Sequence, residues 1–537
     1  MSSRHLAHAA ESCRATRAAD RATGLRVTSR PWLFREEPGL LLLIIVIADW
    51  AQLADPDLWG HIRFGQAVIA LGHLVRFDPY SYSAAGAPWR NHEWLSEVIM
   101  ALLYDNCGVL GLKLWKLGCV GAAILFTAGA LEETGATLSL RLDILMIAAV
   151  ALAPYMEFRP QLFSFAFFAG TLMLLARDSY RGTAPLWLLI PLMALWANLH
   201  GGFIAGLAAL AVCVLVRLAE NVYAHRLERR TVRLVVVVLG ATAATLLTPY
   251  GIGTWCAVGH ALGNPMTRLA VNDWQPLIYA LARHTSGDHA ALAYYLCALI
   301  LMAATVLTFV LAPGDLAMAA IAALMIAAAF AAVRNVPLAV MACTVPLARQ
   351  AAGLTAKRRA NARCYPTVSK TRRTAVAPPA AIIVAIVLAA YGGIFSSRIM
   401  TDRAYPAGAV SFMKSHRWHG NILCDFGWGE YLIWHLPGSK VFIDGRYDTV
   451  YSLKVIRDYL LFYFDLPGGT KVLDSYPHDF LLIPPGSEAC RETMQVGGWK
   501  LVYRDSDAVL FARADSHAAQ ISRFPVDGVA AIRQFFP

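Results

Sequence analysis

Two aspartates stand two positions apart in Asp55-Pro56-Asp57, directly after an apolar run. Paired carboxylates with this spacing can hold a divalent cation such as Mg²⁺ or Mn²⁺, or one of them can act as a general base. The structural alternative is that Asp55 caps a helix that begins at the proline. The pair is therefore a candidate catalytic and metal-binding centre.

The segment that follows contains more groups able to contact a substrate. Trp59 and His61 come directly after the aspartates, and Glu93 lies near the end of the same polar stretch. Aromatic rings at a membrane interface can stack on a sugar or a lipid headgroup. We therefore treat Trp59, His61 and Glu93 as candidate substrate-binding residues.

Three further polar residues interrupt later apolar segments, namely Arg159, His200 and Arg334. A charged side chain at membrane depth is costly unless it is paired. An arginine there pairs either with an acidic side chain or with a lipid pyrophosphate, which suits its two-pronged guanidinium. Both alternatives stay open for the arginines, and the pattern favours a structural role for His200. All three are candidate substrate-binding residues.

These residues must be positioned by a membrane-embedded scaffold. The chain of 537 residues is 57% hydrophobic and 15% charged, with a mean hydropathy of +0.49, whereas soluble domains are roughly 25% charged. The pattern predicts an α-helical polytopic membrane protein with about eleven transmembrane helices. The apolar runs are at about 39–54, 108–131, 142–156, 160–176, 185–199, 202–219, 234–250, 291–311, 315–333, 336–348 and 379–396.

Two apolar stretches, 142–176 and 185–219, are too long to be single helices. Each would extend about 52 Å as a continuous helix, well beyond the roughly 30 Å hydrocarbon core. Polar breaks divide them near the middle, at 157–161 and 198–202. Each stretch is therefore predicted to be a helical hairpin.

Basic residues alternate between the loops and predict the orientation. The tail 1–37 and the stretch 349–373 are basic and are expected in the cytoplasm. The first loop, 54–93, would then face outward from a transmembrane domain at 38–398, in the inner (plasma) membrane. The domain 399–537 would also be extracytoplasmic. Because the net charge of +11 sits in short blocks between apolar runs, the pattern excludes a nucleic-acid-binding groove.

Residues 399–537 have an ordinary globular composition. Strand-like runs at 440–443 and 480–483, separated by helix-like segments, predict a small α/β domain. Cys424 and Cys490 both belong to it, and they could form a disulfide if it lies outside the cytoplasm.

Two motifs in this domain form a plausible recognition surface. One contains Trp428 in a glycine-rich turn, and the other is Asp444-Gly445-Arg446 after a strand-like run. Trp428, Asp444 and Arg446 are candidate substrate-binding residues. The equally weighted alternative is a glycine-rich turn with buried aromatic side chains.

A first helix followed by a long outward loop that opens with an acidic motif resembles the GT-C superfamily of membrane glycosyltransferases. These enzymes take a sugar from a polyprenyl-phosphate donor on the extracytoplasmic face, and an acidic residue of the first loop is essential as base or metal ligand. The resemblance implies that role for Asp55 and Asp57. It also implies that Glu157, in the second loop, is a metal ligand together with them.

The stretch 421–432 is similar to the WWDYG region of oligosaccharyltransferases, which contacts the acceptor peptide. Asp425, Phe426 and Gly427 match its Asp-Tyr-Gly, but Trp428 follows these residues instead of preceding them. This departure puts recognition of a peptide sequon in doubt.

The resulting functional hypothesis is an inverting glycosyltransferase whose partners are membrane lipid and a polyprenyl-phosphate-linked sugar. The acceptor would be an extracytoplasmic glycan, lipid or protein. Two non-enzymatic alternatives remain, namely a transporter or flippase for a lipid-linked glycan and a degenerate GT-C fold kept as an assembly subunit. A transporter is expected to carry ionisable groups at the membrane midplane, whereas here they cluster at the outer ends of the helices.

Overall fold

The structure is a computed structural model of the chain, and part of the sequence is described in it. The predicted tail 1–37, most of the first predicted span and the whole of the last one, 379–396, lie outside the described residues. The described residues are 53–264, 271–284, 289–362, 398–401, 405–521, 526–527 and 535–536.

A helical layer forms the first part of the described chain. Its helices are α1 (Leu58–Leu71), α2 (Trp94–Glu133), α3 (Leu138–Leu152), α4 (Gln161–Arg181), α5 (Leu189–Leu199), α6 (Phe203–Tyr223), α7 (Arg229–Ala244), α8 (Ile252–Gly263), α9 (Leu277–His284), α10 (His289–Leu311), α11 (Leu316–Ala331) and α12 (Val336–Ala362).

Six helical segments in the described part of the chain are long and apolar enough to cross a membrane, and two more are apolar but shorter. The protein is thus mostly helical with several candidate membrane spans, as predicted, while the expected number of about eleven is not confirmed. The six segments are Trp94–Glu133, Leu138–Tyr155, Gln161–Arg181, Phe203–Tyr223, Leu292–Leu311 and Val333–Ala356.

The helices end at both predicted polar breaks. A short 3₁₀ turn, Ala153–Tyr155, follows α3, and α4 begins after Pro160. At the second break α5 ends at Leu199 and α6 begins at Phe203. The loops that carry the candidate residues therefore join consecutive helices.

Gly108 divides the long helix α2 into two parts. Its φ of 59° lies in the left-handed region, which glycine adopts without a steric penalty from a side chain. The first part of α2 carries Glu97 and packs against α1 through the close approach of the Glu97 backbone to Gly65. The kink therefore lets one helix serve both the first loop and the helical layer.

The basic loops meet at one end of the helical layer. Arg217 pairs with Asp315 at 3.3 Å, between the end of α6 and the start of α11. Arg349 of α12 donates to the carbonyl oxygen of Thr134, just after α2, at 3.1 Å. These contacts bring the predicted cytoplasmic loops together.

The loops with the candidate residues meet at the other end. Trp94 Nε1 donates to Asn198 Oδ1 at 3.2 Å, which joins the start of α2 to the end of α5. The Val333 N–H donates to the carbonyl oxygen of Gln275 at 3.0 Å. The polar loops are therefore neighbours in space although they are far apart in sequence.

The C-terminal region is a sheet-containing domain. The strands of its main sheet are β3 (Asn421–Cys424), β4 (Lys440–Val441), β5 (Phe480–Ile483), β6 (Trp499–Arg504), β7 (Val509–Arg513) and β8 (Val526–Asp527). Their order in the sheet is β4-β3-β5-β7-β6-β8, in which β3 is parallel to β4 and β5, and β7 is antiparallel to β5 and β6. The helices are α13 (Ala407–Ser415), α14 (Gly429–His435), α15 (Leu453–Tyr463), α16 (Lys471–Ser475), α17 (Glu488–Gln495) and α18 (His517–Ile521).

A second, small sheet connects the two regions. Its strands are β1 (Leu53–Ala54), β2 (Ile399–Thr401) and β9 (Phe535–Phe536). β1 is parallel to β2, with Leu53 opposite Met400. The segment that leads into Asp55 is therefore held by the C-terminal region.

The possible disulfide between Cys424 and Cys490 is not formed. Both residues are buried free cysteines. Cys424 ends the central strand β3, whereas Cys490 lies in α17. They are packing residues of the α/β domain.

Candidate functional site

Asp55 lies where β1 ends and the chain turns into α1. Its side-chain oxygen Oδ1 accepts the Asp57 N–H at 2.9 Å, and its carbonyl oxygen accepts the Leu58 N–H at 3.0 Å. Burial raises the pKa of Asp55 to about 6, although the Arg159 charge opposes this shift. A carboxyl group with such a pKa is ionised at neutral pH and still basic enough to accept a proton.

The guanidinium of Arg159 is surrounded by three aspartates. Its Nε is 3.0 Å from Asp55, its Nη2 is 2.7 Å from Asp57, and its Nη1 is 2.8 Å from Asp273. Glu157 is farther away, at 4.0 Å. Of the two partners that the sequence allows for Arg159, the structure shows the acidic one.

The predicted metal ligands Asp55, Asp57 and Glu157 do not fit a divalent ion. Oxygen atoms of both aspartates already contact the guanidinium of Arg159. A metal ion bound by the same oxygens would lie against a permanent positive charge.

A separate group of three side chains has the donor atoms of a metal site. Ligand atoms of His61, Glu93 and Glu97 all lie within 4.8 Å of one another, and one imidazole with two carboxylates is a suitable set for a divalent cation. Burial lowers the pKa of His61, but the hydrogen bond with Glu97 and the charges of Glu93 and Glu97 outweigh it and raise the pKa to about 8. Glu97 is not among the candidates predicted from the sequence, although it follows Glu93 by one helical turn.

His200 positions Glu93. The Gly202 N–H donates to His200 Nδ1 at 3.0 Å, so the neutral ring carries its hydrogen on Nε2. That atom faces Glu93 Oε1 at 3.4 Å. Ser164 also bonds Nδ1, at 2.6 Å, and itself accepts from Trp196. Burial lowers the pKa of His200 to about 3, in agreement with a neutral, structural histidine.

Arg334 lies beside this site. Its guanidinium carbon is 4.3 Å from the centre of the Trp274 ring, the residue after Asp273. Burial raises the pKa of Glu93, but the charges of surrounding basic groups, Arg334 among them, outweigh it and lower this pKa. Arg334 thus adds positive charge near the carboxylates.

Trp59 is placed in an aromatic cluster instead of at a surface. Its side chain is completely buried, and its ring lies 4.7 Å from that of Tyr405 and 5.5 Å from that of Tyr431. The ring therefore presents no exposed face for stacking on a sugar.

Arg446 and Asp444 connect the C-terminal domain to the first loop. Arg446 pairs with Asp444 and with Asp78, each at 2.6 Å, and the side chains of both aspartates are fully buried. Three aromatic rings face the guanidinium, those of Phe64, Tyr80 and Trp89. In this arrangement Arg446 and Asp444 hold two parts of the chain together.

Trp428 is mostly buried and borders an open cleft of the α/β domain. Asp425 and Asp507 also line this cleft. The Asp425 side chain accepts the Gly427 N–H at 2.8 Å, in a turn before α14. The aspartates around Arg159 do not line this cleft, so Trp428 belongs to a different group of side chains.

Glu430, another residue that the sequence analysis missed, lies next to Asp57. A side-chain carbon at Gly445 would clash with both Glu430 Oε1 and Asp57 Oδ1, so the two carboxyl groups meet over this glycine. Glu430 is 4% exposed, and within the described chain its Oε2 has no hydrogen-bond partner. Burial, followed by the charges of Asp57 and Asp444, holds the pKa of Glu430 well above its ordinary value of 4.5.

We expect Glu430→Gln to become more stabilising as the pH rises. A carboxyl group with a raised pKa in the folded state stabilises the fold while protonated, and this contribution is lost as the pH rises above 4.5 towards the raised pKa. Glutamine keeps the shape and does not ionise. The melting temperature of the variant relative to wild type should therefore increase between pH 5 and pH 9. Glu488→Gln, at an exposed position, is the control, and a difference that is flat with pH would contradict the assignment.

The comparisons with known proteins agree with this architecture. No protein-family model and no curated protein matches the sequence. The chain is similar to the crystal structure of the apo oligosaccharyltransferase of Archaeoglobus fulgidus, at 11% identity and a TM-score of 0.52, over 91% of this chain and 76% of that one. The same enzyme tethered to an acceptor peptide with an NVT sequon aligns with a TM-score of 0.49, at 11% identity, over 94% and 76% of the two chains.

A mycobacterial arabinofuranosyltransferase, AftD, is also similar, at 16% identity and a TM-score of 0.47. The alignment covers 89% of this chain but only 39% of that one. The likeness to the apo oligosaccharyltransferase confirms, at the level of the fold, the resemblance predicted from the sequence.

Proposed function

We propose that this chain is a membrane glycosyltransferase that moves a sugar from a polyprenyl-phosphate-linked donor to an extracytoplasmic acceptor in a glycan, a lipid or a protein. The observation that carries the proposal is the buried carboxyl group of Asp55, whose pKa is about 6. It lies where the first loop, the helical layer and the C-terminal sheet meet. This is the position in which a base can reach a lipid-borne donor and a polar acceptor together.

In the proposed reaction Asp55 takes the proton of an acceptor hydroxyl group. The hydroxyl oxygen then forms a bond to the anomeric carbon, and the bond from that carbon to the phosphate oxygen breaks on the opposite face. The electron pair leaves with the polyprenyl phosphate, and the anomeric configuration inverts. Positive groups near the departing phosphate stabilise its charge.

We assign the leaving phosphate to Arg334 in preference to Arg159. Arg159 directs its nitrogen atoms at three aspartates, so the charge around it is unfavourable for an anion. Arg334 lies on Trp274 at the border of this acidic group. Its fork suits an oxyanion.

The proposed orientation has the N-terminus in the cytoplasm and the C-terminal domain outside the inner membrane. The basic loops and the candidate site lie at opposite ends of the helical layer, as the alternation of charges predicts. This arrangement supports a reaction on the extracytoplasmic face.

A flippase for a lipid-linked glycan is the second candidate. The observation in its favour is that Lys113 and Lys116 are buried in the spanning helix α2, because ionisable groups inside a membrane often mark a transport path. However, Lys116 lies 4.6 Å from the ring centre of Phe158, the neighbour of Arg159. The lysine is therefore close to the candidate site at the helix ends.

An assay in detergent distinguishes sugar transfer from flipping, because a detergent micelle has no two leaflets between which a lipid could be moved. We expect the purified protein, mixed with a lipid extract and an envelope fraction from its own cells, to produce a new glycoconjugate detectable by mass spectrometry. Reactions without the protein, and reactions with heat-inactivated protein, serve as controls. Deletion of the gene should remove the same glycoconjugate from cells. Loss of the glycan in cells without any transfer in detergent would favour a flippase or an assembly subunit and contradict the proposal.

A further inference from the structure

We infer that the side chain of Arg159 is the resident cation of the Asp55–Asp57 site and stands where a divalent metal ion would otherwise bind. The inference deepens the proposed function, on which it rests for the catalytic role of these aspartates. The binding site itself is defined by geometry alone.

The geometry is that of a cation with three anionic ligands. Each nitrogen of the Arg159 guanidinium faces a different aspartate, with distances of 3.0 Å to Asp55, 2.7 Å to Asp57 and 2.8 Å to Asp273. The aspartates come from two chain segments more than 200 residues apart. The three carboxylates therefore surround one positive charge, each on a different nitrogen atom of the guanidinium.

The charges also favour this assignment. Arg159 contributes one positive charge, whereas Asp55, Asp57 and Asp273 contribute three negative charges when ionised. The charges of these aspartates outweigh burial and hold the pKa of Arg159 well above its ordinary value. The guanidinium is therefore permanently charged.

Removal of this charge would create a metal site. Without the guanidinium, three aspartates would face one another, with Glu157 close by. Carboxylate oxygens are the preferred ligands of hard divalent cations. The facing carboxylates would therefore bind a divalent cation from solution.

An internal cation has a chemical consequence for Asp55. A metal ion would draw electron density from a bound carboxylate and weaken it as a base, whereas one guanidinium shared among three aspartates withdraws less from Asp55. In addition, a side chain cannot dissociate, so the charge of the site does not depend on the concentration of metal ions. Arg159 thus acts as a positioning residue for the proposed base.

The test is binding of Mn²⁺ to the purified protein in detergent, measured by electron paramagnetic resonance. We expect Arg159→Ala to gain one Mn²⁺ site that is at least tenfold tighter than any site that depends on Asp57 in wild type. Arg159→Ala combined with Asp57→Asn should lose it again. Arg217→Ala is the matched control, because Arg217 also pairs with an aspartate and a glutamate at the other end of the helices, and it should gain no such site.

Two results would overturn the inference. One is a folded Arg159→Ala protein, verified by its melting curve, that gains no Mn²⁺. The other is tight Mn²⁺ binding to wild type that Asp57→Asn removes. This measurement needs only wild type and Asp57→Asn, and therefore remains possible if Arg159→Ala does not fold. Neither measurement involves sugar transfer, so failure of the inference and failure of the proposed function are distinguishable.

Discussion

Glycan transfer by Asp55→Asn is expected to be about 10²–10⁴-fold slower than by wild type, the usual loss when a general base is removed. Asparagine has nearly the same shape and can still accept the Asp57 N–H that Asp55 accepts at 2.9 Å. The melting temperature should therefore change little. In wild type the transfer rate should fall as the pH drops below about 6, because Asp55 then takes up a proton.

Asp315→Asn is the matched control for this experiment. Asp315 also accepts backbone N–H groups at the start of a helix and also pairs with an arginine, Arg217, but at the opposite end of the helical layer. The transfer rate of Asp315→Asn should stay within a factor of a few of the wild-type rate. Normal transfer by Asp55→Asn would remove the catalytic assignment, and a large drop in its melting temperature would show that the side chain is structural.

Arg446→Ala is expected to destabilise the fold by about 3–5 kcal/mol, the range for breaking a buried ion pair by removal of one partner. The variant leaves the buried carboxylates of Asp78 and Asp444 without their cation. It also removes contacts with the surrounding aromatic rings. The first loop should therefore detach more easily from the C-terminal domain. Thermal unfolding and limited proteolysis in detergent measure the two effects.

The control for this prediction is Arg457→Ala. Arg457 is 65% exposed and pairs with Asp458 at 3.7 Å, and surface pairs of this kind contribute about 0–1 kcal/mol. The melting temperature of Arg457→Ala should match that of wild type. If Arg446→Ala melts like wild type but loses transfer, then Arg446 binds substrate, as the sequence suggests, and is not a structural link.

The sequence alone predicted local structure well where one physical signal dominates. The polar breaks at 157–161 and 198–202 end helices as expected, because an apolar stretch longer than the membrane must turn near a polar residue. The strand at 480–483 is also correct, whereas the one at 440–443 forms only Lys440–Val441. Hydrophobic periodicity is a local property of the sequence and can be recognised without knowledge of the fold.

The partners of the charged residues could not be predicted from the sequence. The sequence left two partners open for Arg159, an acidic side chain and a pyrophosphate, and only the fold brings Asp273 to it from 114 positions away. Glu430 belongs to the domain after the helices and reaches Asp57 only through the packing of α14 on α1. No spacing rule applies to such pairs, because their separation in the chain is unrelated to their distance in space.

Burial was the other property that the tertiary structure decided. Trp59 looks like a residue for sugar stacking because it follows two aspartates in a polar loop, yet it is completely buried against Tyr405 and Tyr431. The residues that cover it come from the C-terminal region, which the local sequence around Trp59 does not reveal. The sequence by itself determined where acids, bases and apolar helices occur. The packing of loop against domain decided which of these side chains face one another, because the free energy of a buried charge or ring depends on neighbours from the whole chain.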